Sequence, residues 1–290
     1  MNFNFIKYGR IFNYVDGIKK ELIWIWGTSS YWVWGTSAIW RWGKPAYYDS
    51  DATAFFNRVT AAGGTLTLAE QIATNQLVLD MKSTGIWTSM KAVYPMVGGS
   101  AAACAQNLKS SSFTGTFFGG WTFSSTGVTP DGISGYFDTG LNLNIMTSIN
   151  DISYGYYCRT NNQTTGSFGW GIPTNITNEF WIRYTDSNKY GYLFDGANDG
   201  GSVTDCRGFN SMSRIGSSLK YIQLNSTIIS YSSASSGVLL SRNFIFARGS
   251  QGYENRENAL GYISNGLTSS QLTDFYTAVQ SFQTSLSRQI

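Results

Sequence analysis

Short segments near the start of the chain carry apolar residues at almost every position. Three near-copies of an eight-residue unit occupy Ile23–Ser30, Tyr31–Ala38 and Ile39–Ala46, and each has two tryptophans followed by a glycine. Tryptophans two residues apart predict a short strand that carries both rings on one face. Six of the ten tryptophans belong to this repeat: Trp24, Trp26, Trp32, Trp34, Trp40 and Trp42.

The positions between the tryptophans are apolar as well, so both faces of these predicted strands require burial. Each tryptophan carries roughly 150–250 Å² of surface, and soluble monomers rarely expose apolar patches beyond a few hundred Å². Residues 23–46 are too few to cover themselves as a solenoid. We therefore predict that residues 1–48 form an arm and a β-repeat stalk for attachment or oligomerisation, most simply a homotrimer.

Helical periodicity follows, and it predicts a small helical module over residues 49–100. Asp51 or Ser50 is expected to cap a first helix that runs to about Ala62, before two glycines. Thr67-Leu-Ala-Glu70 fits a capping box at the start of a second helix that Gly85 ends. Residues 86–95 are expected to form a short turn or helix. The predicted apolar stripe of the second helix is Leu68, Ile72 and Leu79.

From about residue 107 the pattern changes to short aromatic strands separated by Gly, Asn, Asp and Ser turns. Such strands without intervening helices predict an antiparallel β-sandwich over residues 101–290. A final helix at 268–287, opened by the capping box Thr268-Ser-Ser-Gln271, should pack on the sandwich through an apolar stripe. The predicted strands are Phe113–Phe118, Gly135–Asp138, Ile152–Arg159, Phe180–Tyr184, Tyr190–Phe194, Tyr221–Leu224 and Phe244–Arg248.

The composition agrees with a β-rich protein and excludes several functions. Aromatic residues make up 16% and charged residues 13% of the 290 residues, and the net charge is +3. Residues 1–48 hold a net charge of +4, but without a dense basic cluster we do not expect nucleic-acid binding. The first residues lack a signal-peptide pattern, and no stretch of about 18 apolar residues predicts a membrane span.

Histidine is absent from the sequence, which removes Ser-His and Cys-His nucleophiles and His-ligated metal sites. The three cysteines, Cys104, Cys158 and Cys206, are far apart and include no CxxC pair, so a zinc site is not expected. Buried free thiols are the main expectation for them, and a Cys158–Cys206 disulfide is the alternative.

Several segments resemble virion proteins of tailed phages of Bacteroidota, including crAss-like phages. The resemblance covers roughly residues 49–290 and rests on the segments Asp49–Phe56, Leu79–Gly99, Asn107–Lys109, Thr129–Gly140 and Ala259–Thr268. It implies a concanavalin A-like or laminin-G-type sandwich (a jelly roll). It also implies a virion surface protein, such as a head fibre, a capsid decoration protein or a tail appendage.

Two functions follow from this resemblance. The first is a non-enzymatic virion structural protein, whose residues 1–48 bind other virion proteins of the capsid, portal or tail and whose sandwich faces outward. The second is a tail protein that recognises a host surface polysaccharide.

Candidate catalytic residues are few. Glu254 and Glu257 are the closely spaced glutamates of the β-region, and a pair of carboxylates could hydrolyse a glycosidic bond. The Glu-x-Asp-x-x-Glu run that glycosidases of this sandwich fold display is missing. We expect a solvated loop at this position and no enzymatic activity.

Two binding sites can be suggested from the β-region. Asp195, Asn198 and Asp199 on a glycine-rich loop offer oxygen ligands for Ca²⁺, although such loops are more often plain turns; no other cofactor is expected. Sugar binding uses aromatic platforms at a sandwich edge or face, although most aromatic residues of the region should belong to the core. The candidate platforms are Trp170, Tyr190, Tyr192 and Tyr253.

Overall fold

The computed structural model describes main chain and side chains for residues 48–162, 193–195, 199, 202–249 and 252–290. Elsewhere it describes the backbone of strands alone, at 8–15, 18–25, 31–34, 38–40, 168–172, 180–185, 188–192 and 200–201. The chain folds as two compact units, Met1–Tyr48 and Asp49–Ile290.

The first unit contains an antiparallel four-stranded sheet in which each strand pairs with the next along the chain. Its strands are β1 (Tyr8–Val15), β2 (Ile18–Ile25), β3 (Tyr31–Trp34) and β4 (Ala38–Trp40). The register pairs Trp24 with Trp32 and Trp32 with Trp40. The strands expected from the three tryptophan-containing eight-residue units (the octads) are therefore present, and they pair with one another within the chain.

In the described part of the second unit there are four α-helices, whose ends follow local sequence signals. They are α1 (Ser50–Ala61), α2 (Leu68–Ser83), the single turn α3 (Ala101–Cys104) and α4 (Ser269–Ser285). The capping boxes at Thr67 and Thr268 are both formed, which confirms the predicted starts of α2 and α4. Short 3₁₀ turns lie at Ile86–Thr88 and Leu143–Ile145. No described helix has the length and apolar content needed to cross a bilayer.

One sheet of the second unit has eight antiparallel strands. Its strands are β5 (Met90–Tyr94), β7 (Trp121–Ser124), β8 (Gly127–Pro130), β10 (Ile152–Cys158), β15 (Gly208–Arg214), β16 (Leu219–Leu224), β17 (Thr227–Ser232) and β19 (Asn258–Ser264). They are arranged in the order β17-β16-β15-β10-β19-β8-β7, and β5 also pairs with β19. Strands β10, β15 and β19 are buried at every position, so this sheet is covered on both faces.

The other sheet has seven strands in the order β14-β13-β12-β11-β18-β9-β6. These strands are β6 (Thr116–Phe118), β9 (Tyr136–Asn142), β11 (Phe168–Ile172), β12 (Phe180–Thr185), β13 (Asn188–Leu193), β14 (Asp199–Ser202) and β18 (Asn243–Phe246). The two antiparallel sheets form a sandwich, as the sequence pattern predicts.

Two apolar cores hold three layers together. Between the sheets, aromatic rings pack edge to face, as where Tyr94 meets Phe137 at 5.0 Å between ring centroids. On the other face of the eight-stranded sheet, Phe209 and Tyr262 pack against Phe275 of α4. The helices therefore form the third layer, and α4 packs on the outside of the sandwich as predicted.

The predicted stripe of α2 is wrong. Leu68, Ile72 and Leu79 are 55%, 53% and 41% exposed, and the helix packs on its opposite side. Glu70 fixes this orientation, because its carboxylate accepts from the Gly98 amide at 2.7 Å while also closing the capping box. The buried apolar residues of α2 are Ala73, Leu77, Val78 and Met81.

The expected turn or helix at residues 86–95 is also largely wrong. After the 3₁₀ turn the chain forms β5, which pairs with β19 in the register Tyr94 to Gly261. The partner strand is remote in sequence, so nothing in the local pattern indicates the pairing. This strand joins the helical module to the sandwich, and residues 49–290 form one unit.

Arg288 lies fully buried just after α4 and joins three parts of the second unit. Its guanidinium donates to the carbonyl oxygens of Met96, Pro95 and Ala259 at 2.8, 3.1 and 3.0 Å, and to Gln283 Oε1 at 2.9 Å. Burial lowers the pKa of Arg288 to about 10. The side chain thus stabilises the contact of α4 with β19 and the segment after β5.

Candidate functional site

Four planar side chains make a row of contacts at one edge of the seven-stranded sheet. Phe118 stacks on Tyr136 with ring centroids 4.8 Å apart and planes inclined by 11°. The Arg248 guanidinium lies 5.1 Å from the centroid of Tyr136 and 5.6 Å from that of Tyr253. These distances allow cation–π attraction to both tyrosines. We call Phe118, Tyr136, Arg248 and Tyr253 the Arg248 cluster.

A backbone hydrogen bond and a β-bridge bring Arg248 and Tyr253 together. The Gly249 amide donates to the Gly252 carbonyl at 2.9 Å, and Arg248 and Tyr253 form an antiparallel bridge. The Glu254 amide then donates to the carbonyl of Ala247. Directly opposed residues of an antiparallel pair have neighbouring side chains, so this bridge places the guanidinium against the tyrosine ring.

Strand alternation supplies the other two rings. Phe118 of β6 pairs with Tyr136 of β9, and Phe117 pairs with Phe137 one position further along. Successive side chains of a strand point to opposite faces. Phe137 lies in the core, whereas Phe118 is 42% exposed. Phe118 and Tyr136 therefore share the outward face of the sheet.

A rigid loop flanks the cluster at residues 131–135. The carboxylate of Asp131 accepts from the amides of Ile133, Ser134 and Gly135 and from the Ser134 hydroxyl, at 2.7 to 2.9 Å. The hydrogen bond from the Ser134 hydroxyl, together with those amides, holds the pKa of Asp131 well below its usual value. The carboxylate is exposed and negatively charged over the whole physiological range of pH.

Close backbone contacts fix this loop beside the cluster. At Gly119, next to Phe118, φ is +73°, and a Cβ atom would lie 2.2 Å from the Ser134 carbonyl oxygen. A Cβ on Gly132 would lie 3.0 Å from the Cβ of Asn255. Asn255 in turn accepts a hydrogen bond from Asn162 at 2.9 Å. Asn255 and Asn162 therefore place amide groups beside the loop at residues 131–135.

This arrangement has the chemistry of a carbohydrate-binding surface. Sugar rings stack their apolar faces on aromatic side chains, and a few convergent polar groups fix their orientation. The Arg248 guanidinium forms no hydrogen bond or ion pair with the side chains that the structure describes. Its N–H groups are therefore available to donate to hydroxyl or carboxylate oxygens.

The sequence-predicted sugar platforms are only partly described. Tyr253 belongs to the Arg248 cluster. Trp170 lies on β11, and Tyr190 and Tyr192 lie on β13, but their side chains fall outside the described residues. Sequence reasoning missed Phe118, Tyr136 and Arg248. The available signal was their position at the ends of predicted strands, next to glycine-rich turns.

In the predicted calcium loop, two of the three ligands are paired with cations. The side chain of Asp195 is fully buried, and its Oδ2 atom lies 2.6 Å from both Arg214 Nη2 and Lys220 Nζ, whereas Asp199 Oδ2 lies 2.8 Å from Lys220 Nζ. Asn198 falls outside the described residues. Among the described side chains, no group of three carboxylates or thiols is arranged to hold a metal ion. The Ca²⁺ site stays a prediction.

The two candidate catalytic glutamates have structural partners, and the expected solvated loop is wrong. Glu254 is fully buried with its Oε1 2.7 Å from Arg256 Nε. Glu257 lies 2.8 Å from Arg159 Nη1 and accepts from the Thr126 hydroxyl at 2.5 Å. The loop folds inward because each carboxylate has an arginine to compensate its charge.

The remaining residues that were singled out from the sequence are the tryptophans of the octads and the three cysteines. Trp24, Trp32, Trp34 and Trp40 lie on strands of the first unit. Trp26 and Trp42 fall outside the described residues, so attachment and oligomerisation through the octads stay predictions. All three cysteines are buried free thiols, which confirms the main expectation for them.

Comparison with known proteins supports the fold. No family model matches the chain, and no curated protein matches it. A solved structure of botulinum neurotoxin type C, described as depending for cell entry on two ganglioside molecules, aligns with a TM-score of 0.51 and 9% identity, over 68% of this chain and 53% of that chain. This alignment confirms the mainly β, antiparallel sandwich.

Two further similar structures align less closely. The binding domain of Paraclostridial Mosquitocidal Protein 1 has a TM-score of 0.48 and 12% identity, over 67% of this chain and 53% of that chain. Domain 4 of AbnA, a GH43 extracellular arabinanase from Geobacillus stearothermophilus in complex with arabinotriose, has a TM-score of 0.40 and 17% identity, over 65% and 98%. The chain spans about half the length of the toxin binding domains that it matches.

Proposed function

We propose that residues 49–290 are a non-catalytic, carbohydrate-binding β-sandwich that recognises a polysaccharide through the Arg248 cluster. The observation that carries the proposal is the Arg248 guanidinium between two tyrosine rings, with an exposed phenylalanine at the end of the row. The similar botulinum neurotoxin type C structure is described as interacting with gangliosides, which supports glycan binding on this kind of sandwich.

A glycan array followed by calorimetry on the bound glycan tests this proposal. Arg248→Ala and Tyr253→Ala are expected to weaken binding about fivefold or more each, because each removes a stacking or hydrogen-bonding partner worth about 1 kcal/mol or more. Arg242→Ala is the matched control. Arg242 is an exposed arginine just before β18, roughly 20 Å along the strand from Arg248.

Two outcomes would contradict the proposal in different ways. If the array shows no bound polysaccharide or oligosaccharide, glycan recognition by this chain is rejected. If a glycan binds and both variants bind it as well as the unaltered chain does, the recognition site lies elsewhere on the molecule.

We further propose that the protein sits on the surface of a phage particle and is anchored there through residues 1–48. The support is the resemblance of residues 49–290 to virion proteins, together with a tryptophan-rich sheet that forms a unit of its own. Antibodies against residues 49–290 should label the outside of purified particles, on either the head or the tail. Particles without the protein would overturn this assignment.

A further inference from the structure

Two of the three buried cysteines converge on one carbonyl group. Cys158 is the last residue of β10 and pairs with Gly208 of β15, two residues after Cys206. The Sγ atoms of Cys158 and Cys206 lie 3.3 and 3.5 Å from the same carbonyl oxygen, that of Thr160. The two thiols also shift each other's pKa. The two sulfur atoms are therefore neighbours.

The surroundings of Cys206 are polar, unlike those of a thiol that only fills a core. Its Sγ lies 3.4 Å from Asn161 Oδ1, and its amide donates to the same oxygen at 3.2 Å. The positive charge of the buried Arg256 guanidinium acts on the Cys206 thiol. The S–H group of Cys206 donates to the oxygen atoms of Thr160 and Asn161, and once its proton leaves, Arg256 is the cation that compensates the charge.

The two thiols differ in acidity for identifiable reasons. The neighbouring Cys158 thiol, helped by Arg256, lowers the pKa of Cys206 to about 6, although burial opposes the shift. Burial raises the pKa of Cys158 above its usual value. This is the asymmetry of an attacking thiolate beside a resolving thiol. Burial raises the pKa of Cys104 to about 12, so that cysteine stays a neutral thiol.

Arg256 faces two acids and can compensate one negative charge. Glu254 Oε1 lies 2.7 Å from its Nε atom, and burial raises the pKa of Glu254 to about 7. Near neutral pH one proton is therefore shared between Glu254 and Cys206. When the carboxyl group carries this proton, the thiolate keeps the arginine as its partner.

We propose that Cys206 and Cys158 are a redox pair that hydrogen peroxide converts to an intramolecular disulfide. The Cys206 thiolate attacks one peroxide oxygen, so that an S–O bond forms, the O–O bond breaks and hydroxide leaves. The sulfur of Cys158 then attacks the Cys206 sulfenic acid, forms the S–S bond and displaces water after its thiol proton is transferred. Overall, two thiols and one peroxide give one disulfide and two waters.

The test exposes the folded full-length chain to hydrogen peroxide at pH 7 and measures free thiols after denaturation, intact mass and disulfide-linked peptides. Two of the three thiols should disappear with the loss of two hydrogens from the intact mass, and a dithiol reductant should restore them. A linked peptide pair containing Cys158 and Cys206 should be recovered. The melting temperature should rise by roughly 5 °C or more, because the bond closes a long loop.

Single variants separate the roles of the three cysteines. Cys104→Ser is the matched control and should still form the disulfide. Cys158→Ser should stop at a sulfenic acid on Cys206 that dimedone labels, whereas Cys206→Ser should leave Cys158 unreacted. The disulfide-linked peptides recovered from the unaltered chain test the proposal even if the Cys158 and Cys206 variants fail to fold. Retention of all three thiols, or oxidation of Cys104 as fast as Cys206, would overturn it.

Discussion

A single guanidinium gives the candidate site its geometry. Arg248 contacts Tyr136 and Tyr253, which lie far from each other in sequence and meet through this side chain. Tyr253 could be named from sequence, because an aromatic residue in a glycine-rich loop is a typical sugar platform. Arg248 and Tyr136 could not, because residues 112 positions apart share no local pattern. Sequence therefore indicated the chemistry of the site and one of its four members.

At Glu254, the structure predicts a large effect on stability rather than on catalysis. Glu254→Ala should lower the free energy of unfolding by about 3–5 kcal/mol, because it leaves the buried Arg256 without its carboxylate. Glu257→Ala is the comparison and should cost about 1 kcal/mol, since its ion pair with Arg159 is partly exposed. Urea denaturation measures both, and equal losses would contradict the buried-pair interpretation.

Arg288 provides a second residue-scale prediction. Arg288→Ala should reduce the free energy of unfolding by about 3 kcal/mol, because three buried carbonyl groups lose their donor. Its exposed counterpart Arg242→Ala should change stability by less than about 0.5 kcal/mol. Thermal or urea denaturation of both variants checks the difference. A stable Arg288→Ala protein would show that α4 is held by its apolar face alone.

Among the loops that flank the cluster, Gly119 provides a sharp test. Gly119→Ala should cost about 2–4 kcal/mol or displace the 131–135 loop, because its left-handed φ and the nearby Ser134 carbonyl both oppose a Cβ. Gly63→Ala is the matched control. Its φ is +82° with open space around the position, so it should cost about 1 kcal/mol.

Denaturation and glycan binding together distinguish the possible outcomes for Gly119. If the loop positions the cluster, the Gly119 variant should also weaken any glycan affinity, whereas the Gly63 variant should leave it unchanged. Identical stabilities of the two variants would contradict the close approach of Ser134.

Elements were predicted from sequence where the signal is local. The capping boxes located the starts of α2 and α4, because a cap involves residues three apart. The stripe of α2 was wrong because the helix has a second apolar face. A contact with Gly98, remote in sequence, selects which face is buried. Strand β5 was missed because its partner β19 lies about 170 residues away.

For the whole molecule, the two units should separate cleanly. A protein consisting of residues 49–290 is expected to fold cooperatively, because both cores lie within it. If the tryptophan-rich region mediates assembly, the full-length chain should be trimeric by light scattering and residues 49–290 should be monomeric. If light scattering gives the same number of subunits for both proteins, assembly through residues 1–48 is rejected.

The class of fold was the most predictable property of the whole molecule. Regular aromatic strands and the absence of alternating helices indicated a sandwich, because these patterns repeat along most of the chain. The layering of helices on one sheet was less predictable. It depends on a sheet buried on both faces, and the completely buried strands β10, β15 and β19 show no alternation of apolar and polar positions.

The position of β19 has a consequence for how the chain reaches this structure. β19 lies in the middle of the eight-stranded sheet, between β10 on one side and β5 and β8 on the other, yet it is the last strand in sequence. A growing polypeptide therefore holds two incomplete half-sheets until residues 258–264 leave the ribosome. Such long-range pairing slows folding and leaves strand edges open to wrong partners. Folding of this sheet therefore waits for its last strand, and chaperone supply during expression should control the yield of soluble protein.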